Sequence, residues 1–228
     1  MDESATREAL KAEASKPLVP GRMRVPMFDV VDDFMPLEWA GELGKWLYSQ
    51  RTNMVRYGDE EGHYRYSYEL DGVDNLNPKR LTKFKKALVD QFPKSLTKIE
   101  VPDFDLQHID ISGSCYHQGH HYNWHDGLSD YADQIVPSRR IAYCYFMHSD
   151  PKMFSGGDLE WVNGSMVEPK NNRLVLYHPV QQHRITSVEC WSSQIMHARW
   201  SISGWVHGDA PEGWTDRLAL LRDEPPQV

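Results

Sequence analysis

The sequence predicts an α+β fold that is mainly β: two helices followed by a sandwich or barrel of short strands. Three observations carry that reading. Leu37, Ala40, Leu43 and Leu47 recur at helical spacing, and so do Leu81, Phe84, Leu88, Val89 and Phe92. From Phe104 onward the texture changes to short β-branched and aromatic runs, separated by turn residues at intervals of about 8 to 18. At 228 residues the chain is long enough for one domain with a sizeable core and short for two.

Residues 1–20 read as a flexible tail. Met1 to Lys16 is charged and Ala-rich with no apolar centre, so it does not look like a secretory signal. A single domain is expected over 21–222, with its β-core at about 104–208 and a frayed tail at 223–228 carrying Pro225-Pro226. Met27 to Val31 is a short strand candidate. Asp32-Asp33 precedes Pro36-Leu37-Glu38-Trp39, where the first helix begins. Asn77-Pro78 opens the second, a capping residue followed by proline at the first helical position. Lys79, Arg80, Lys83, Lys85 and Lys86 on that helix read as a solvated basic face. The strand candidates then run through Ile109 and Ile111, Arg140 to Met147, Asp158 to Val162, Arg173 to Tyr177, His183 to Val188 and Arg199 to His207.

Composition narrows the function. A net charge of −8 argues against a nucleic-acid polymer as the main partner, because such proteins carry a basic footprint. No run of about 18 apolar residues offers a membrane span. Cys115, Cys144 and Cys190 make an odd count without CxxC spacing, which fits reduced thiols and a cytoplasmic setting.

Eleven histidines are unevenly spread. His117, His120, His121 and His125 crowd one stretch, and His178, His183, His197 and His207 follow later. Imidazole is a good ligand for divalent iron, and two of them leave open positions for a cosubstrate and O2. Tyr116-His117-Gln118-Gly119-His120-His121-Tyr122-Asn123-Trp124-His125 resembles the Tyr-x-x-Gly-x-x-Tyr-x-x-His approach to the first iron ligand in the prolyl-hydroxylase-like branch of the Fe(II)/2-oxoglutarate oxygenases. Further features arrive in that family's order. They are Arg139-Arg140-Ile141-Ala142-Tyr143, the turn Phe154-Ser155-Gly156-Gly157-Asp158-Leu159, and Arg173-Leu174-Val175-Leu176-Tyr177. His183, 58 residues after His125, matches the distal ligand, and Arg199 and Ser201 match the Arg-x-Ser pair. The likeness covers roughly residues 27 to 208. It implies a double-stranded β-helix (the jelly-roll, cupin-like fold) with the N-terminal helices packed on one sheet. It implies Fe(II) on His125 and His183, with Arg199, Ser201 and Tyr116 holding 2-oxoglutarate, and O2 as co-reactant. A planar guanidinium suits a carboxylate because it meets both oxygens.

One departure stands out. The family's usual triad is His-x-Asp plus the distal His, and here the first part reads His125-Asp126-Gly127. Glycine cannot ligate. In the family's halogenases the same position is Gly or Ala, and a halide takes the vacancy. The resemblance therefore implies a halogenase in which chloride binds beside Gly127 and an unactivated aliphatic C–H is chlorinated, with release of succinate and CO2. Alternatives stay open: Asp126 or Asp130 as the carboxylate of an ordinary hydroxylase, a degenerate site, or a cupin-like binding module without turnover. Against Asp126 stands the alternation of neighbouring side chains along an extended strand.

The substrate is expected to be a small molecule, a nucleotide or a free amino acid. His121 and Asn123 share His125's face on a regular strand and are substrate-facing candidates, unless a bulge intervenes. Arg65 is a third, from the Arg- and Tyr-rich stretch Gln50 to Tyr68, which equally suits a solvated loop. Oligomeric state is open.

Overall fold

The computed structural model describes residues 27–58, 65–71, 73, 78–128, 135–215 and 218. The expected tails at 1–20 and 223–228, the capping residue Asn77 and the alternative ligand Asp130 lie outside these residues. Strand β1 (Phe28–Val31) is followed by helix α1 (Leu37–Ser49), β2 (Val55–Tyr57), β3 (Arg65–Leu70) and helix α2 (Pro78–Ser95). Then come β4 (Leu106–Ile109), β5 (Ser112–Tyr116), β6 (His121–His125), β7 (Arg139–Met147), β8 (Phe154–Gly156), β9 (Leu159–Trp161) and β10 (Met166–Val167). The last four are β11 (Arg173–Tyr177), β12 (His183–Ile185), β13 (Val188–Cys190) and β14 (Arg199–Gly208).

Most strands join one curled antiparallel sheet, in the order β1-β11-β7-β14-β5-β3-β6-β12-β9-β10. Strand β3 makes the curl possible. Its first residues pair with β6 (Arg65 with Tyr122, Tyr66 with His121), and its last pair with β5 (Tyr68 with Cys115, Leu70 with Gly113). The chain is thus a mainly β double-stranded β-helix carrying two helices, as the sequence predicts.

Side-chain alternation sorts residues between two cores. Ile141, Tyr143, Tyr145 and Met147 of β7, Leu174 and Leu176 of β11, and Trp200, Ile202 and Val206 of β14 face the helices. They pack with Leu43, Trp46 and Leu47 of α1 and Leu81, Phe84, Leu88 and Phe92 of α2. Each such aliphatic or aromatic side chain contributes about 1.5–3 kcal/mol by leaving water. Helix α1 sits close on the sheet: a Cβ at Gly113 would lie 2.6 Å from Leu47 Cδ1. The intervening residues, Ala142, Cys144, Phe146, Val175 and Tyr177, face the interior of the curl with Phe154, Leu159, Trp161 and Ile185.

Two expectations change. The single strand expected over His183 to Val188 is two strands: β12 in the large sheet, and β13, which pairs with β8. The chain turns at Thr186 and Ser187, and Gly156 (φ +69) makes room, since a Cβ there would meet the Ser187 carbonyl at 2.1 Å. The polar stretch Gln50 to Tyr68, readable as a loop, holds β2 and most of β3, an antiparallel pair that runs on to Leu70, with Tyr66, Ser67, Glu69 and Leu70 buried. The basic face of α2 behaves as a solvated one: Lys86 pairs with Asp90 at 2.6 Å and Lys83 lies over Trp39. The three cysteines are free.

Buried Asn172 ties the helical layer to the sheet. Its Oδ1 accepts from Met35 N at 3.0 Å and from the Tyr145 hydroxyl at 2.9 Å, and its Nδ2 donates to the Met35 carbonyl at 2.7 Å. Its φ of 61° is a conformation that asparagine tolerates better than most residues. Asn172→Ala is expected to cost about 2–4 kcal/mol in urea unfolding, because it strands buried polar groups at a strained φ. A loss under about 1 kcal/mol would contradict this account.

Candidate metal and cosubstrate site

Strand β6 ends at His125 and β12 begins at His183, and the two residues are cross-strand partners. Their ring centroids are 4.2 Å apart. Each Nδ1 meets a main-chain carbonyl two residues earlier, Asn123 O at 2.7 Å for His125 and Gln181 O at 2.9 Å for His183. A carbonyl only accepts, so each Nδ1 carries the proton and each Nε2 presents a lone pair. The Tyr177 hydroxyl donates to His183 Nε2 at 3.2 Å. The Tyr122 ring stacks on His125 at 3.6 Å. Burial pushes the His183 pKa down to about 4, against a smaller upward pull from Asp126. His125 is pushed well below its ordinary value, by burial first and then by the nearby charges of His183 and Arg65. Two neutral, oriented imidazoles are a donor set that fits a divalent transition metal.

Between the His125–His183 and Tyr122–Ile185 pairs the register shifts. This irregularity interrupts the strict alternation that would align His121 and Asn123 with His125. Tyr122 is the β6 residue stacked on the His125 ring, while Asn123 is exposed and His121 Nδ1 lies 3.1 Å from the Gly119 carbonyl. Asp126 lies just beyond the end of β6, where strand alternation no longer governs its direction. Its Oδ1 accepts from Leu128 N at 2.9 Å. A Cβ at Gly127 would sit 3.0 Å from Trp205 Nε1 and 3.4 Å from Pro179 Cα, so an indole and a proline fill the space on that side.

Arg199 opens β14 on the interior face, opposite Tyr116 of β5, and is fully buried. Its guanidinium lies 4.8 Å from the ring centres of both Tyr116 and Phe146. Nε donates to the Gly157 carbonyl at 2.7 Å, Nη1 to Ser201 Oγ at 3.1 Å, and Nη2 approaches Cys144 Sγ at 3.9 Å. Burial pushes the Cys144 thiol up, which keeps it uncharged. Among the described residues no acid lies within ion-pair reach of Arg199. Gly157 (φ +70) is required by this packing, since a Cβ would fall 2.5 Å from Arg199 Cδ.

The sequence singles out Arg65 but not the buried polar cluster to which it belongs on the same interior. Fully buried Glu69 receives a hydrogen bond from Ser114 Oγ at 2.6 Å and an ion pair from Arg65 at 2.5 Å. Arg65 in turn lies over Tyr122 at 4.7 Å. The signal was present in Arg65-Tyr66-Ser67-Tyr68-Glu69-Leu70, a polar–apolar alternation of period two.

A histidine whose folded pKa lies below its unfolded value of about 6.5 binds fewer protons when folded. The His183 contribution is therefore fully present above about 6.5 and is lost as pH falls towards its folded value of about 4. The Tm of the metal-free protein is expected to fall over that window, and less steeply in His183→Gln. Parallel curves for the two proteins would remove His183 as a cause.

Comparison with known proteins bears on the family and the fold. Residues 111–207 match the family model described as the 2OG-Fe(II) oxygenase superfamily. An uncharacterized PKHD-type hydroxylase of Synechocystis sp. is 26% identical over 156 residues, covering 63% of this chain and 50% of the relative. The chain thus spans about half the length of that curated relative. A prolyl-4-hydroxylase from Pseudomonas putida superposes with a TM-score of 0.60 at 16% identity, covering 82% of this chain and 95% of that one. A Trichoplax adhaerens prolyl hydroxylase, in complex with a hypoxia inducible factor peptide fragment, gives 0.59 at 11%, covering 98% and 99%. These structural likenesses show the fold. Over residues 111–207, the stretch that carries His125, His183 and Arg199, this chain matches the 2OG-Fe(II) oxygenase superfamily, with prolyl-hydroxylase-like proteins among its neighbours.

Proposed function

We propose that this chain is an Fe(II)- and 2-oxoglutarate-dependent oxygenase that hydroxylates a C–H bond of its substrate. The observation that carries the reading is Arg199, a fully buried cation whose partners are a carbonyl, a hydroxyl and a neutral thiol. A buried charge without a counter-charge is costly, and a dicarboxylate cosubstrate supplies one. In this reading Arg199 and Ser201 bind the far carboxylate, with Tyr116 beneath the guanidinium, and His125 and His183 hold the metal. Fe(II) with 2-oxoglutarate and O2 supplies the oxidant, with succinate and CO2 as co-products. Asp126 is the carboxylate ligand: it adjoins His125 outside the strand, and its charge reaches His183. To serve, it gives up its bond to Leu128 N, and Tyr177 gives up His183 Nε2. Arg65, above the Tyr122 ring that covers His125, is the foremost substrate contact, with His121 and Asn123 further along β6. A small-molecule substrate suits Arg65; a peptide, as in the Trichoplax complex, is the competing class.

A second reading, halogenation, is favoured by one observation: Gly127 stands where the family's usual pattern has an acid. The crowding of Trp205 and Pro179 against Gly127 weighs against a chloride site on that side.

Arg199→Ala is expected to weaken 2-oxoglutarate binding about 10- to 100-fold, the value of a charge-assisted hydrogen bond or two. Gly157→Ala should act in the same direction by displacing the guanidinium. Anaerobic titration with Fe(II) and 2-oxoglutarate, followed by the charge-transfer absorbance, reads both; unchanged affinity in Arg199→Ala would overturn the assignment. The same titration separates the two outcomes. Hydroxylation predicts an absorbance indifferent to chloride and a loss of at least tenfold in Fe(II) affinity in Asp126→Ala. A band that shifts with chloride, with metal affinity intact in Asp126→Ala, would give the site to halide.

A further inference from the structure

A second histidine–carboxylate cluster lies at the far end of β14 from Arg199. His108 and His207 are direct partners across the β4–β14 pair. Asp110 follows His108 by two residues, and its N–H donates to the Trp205 carbonyl at 2.8 Å, continuing the ladder. Period-two alternation therefore sends all three side chains from one face. Their ligand atoms lie within 4.8 Å of one another. His207 Nε2 is 2.9 Å from Asp110 Oδ2, and His108 Nε2 is 3.5 Å from Asp110 Oδ1, so both imidazoles converge on one carboxylate.

The cluster has the supporting parts that a ligand set needs. His207 is buried, and its other nitrogen lies 3.0 Å from Ser138 Oγ, which fixes the ring with Nε2 aimed at Asp110. The two imidazoles stack at 4.0 Å and 16°. His108, 56% exposed, is free to rotate and bring its lone pair to a common ion at about 2.0–2.1 Å. Trp205, two residues before His207, packs against Gly127, which sets the cluster on the rim beside the metal-ligand loop.

We infer that His108, Asp110 and His207 form a second divalent-metal site, of the Zn(II) class, separate from the one on His125 and His183. Two imidazoles and a carboxylate, with a fourth position open to water, suit Zn(II) and its spectroscopic stand-in Co(II). An ion there ties β4 and β14 to the segment before β7 that carries Ser138. His108-Ile109-Asp110, with His207 later in the chain, also has the His-x-Asp spacing that His125-Asp126-Gly127 lacks.

The test is Co(II) titration of the untagged full chain, with stoichiometry from metal analysis and geometry from the visible d–d absorbance. The full chain is expected to bind two equivalents. His125→Ala/His183→Ala should keep one, and His108→Ala, a change at an exposed side chain, should remove that same equivalent while leaving the one on His125 and His183. Ser138→Ala should weaken the retained equivalent about 10- to 100-fold. A single equivalent in the full chain that His108→Ala leaves unchanged would overturn the inference while leaving the proposed function intact. Metal that survives His125→Ala/His183→Ala as the only equivalent, and disappears with His108→Ala, would support the rim site and overturn the iron assignment instead.

Discussion

A β-strand has two faces, and the site depends on how the long strands of this sheet divide theirs. On β7, β11 and β14 one set of side chains is given to the helices and the next set to the interior of the curl. Trp200 and Ile202 anchor β14 to the helical layer. That anchoring turns Arg199 and Ser201 inward, where their fork–hydroxyl contact forms. A slip of one residue in the β14–β5 register would expel the guanidinium and bury Trp200 in its place.

The interior is built as a polar chamber inside an apolar wall. Tyr116 and Phe146 sandwich the Arg199 guanidinium, and the carbonyl of Gly157 takes its Nε proton. Gly157 matters to this packing through what it lacks, because no side chain fits between it and the arginine stem. Glu69 and Arg65 on β3, one strand beyond β5, form an internally neutralised pair, whereas Arg199 has no acid within ion-pair reach among the described residues.

Much of this was legible in the sequence, for physical reasons. The two amphipathic helices and the strands flanked by Gly-Gly and Asn-Asn turns follow from periodicity and turn chemistry, and His125, His183 and Arg199 were reachable through the order of motifs. What failed was direction at strand ends. Strict alternation held Asp126 away from His125, but β6 stops at His125, so that argument does not extend to the next residue. The register shift in β6–β12 likewise breaks the expected alignment of His121 and Asn123 with His125. The β3 switch between layers was hidden because Arg65, Ser67 and Glu69 look solvated when read alone. Burial of such residues depends on partners, here Ser114 and Tyr122, that lie 45 and 57 positions away in the chain.

The phenol of Tyr177 gives the histidine pair a property beyond geometry. Because its hydroxyl already engages His183 Nε2, the metal-free chamber is a satisfied arrangement and not a set of dangling lone pairs. Under the proposed function, metal loading would be an exchange, one O–H···N bond for one coordinate bond, with the net gain reduced by about 0.5–1.5 kcal/mol. The reverse step is eased in equal measure, since the departing ion leaves its place to a resident donor. Under the same proposal, Tyr177 would be a latch that keeps the empty chamber in shape between occupancies.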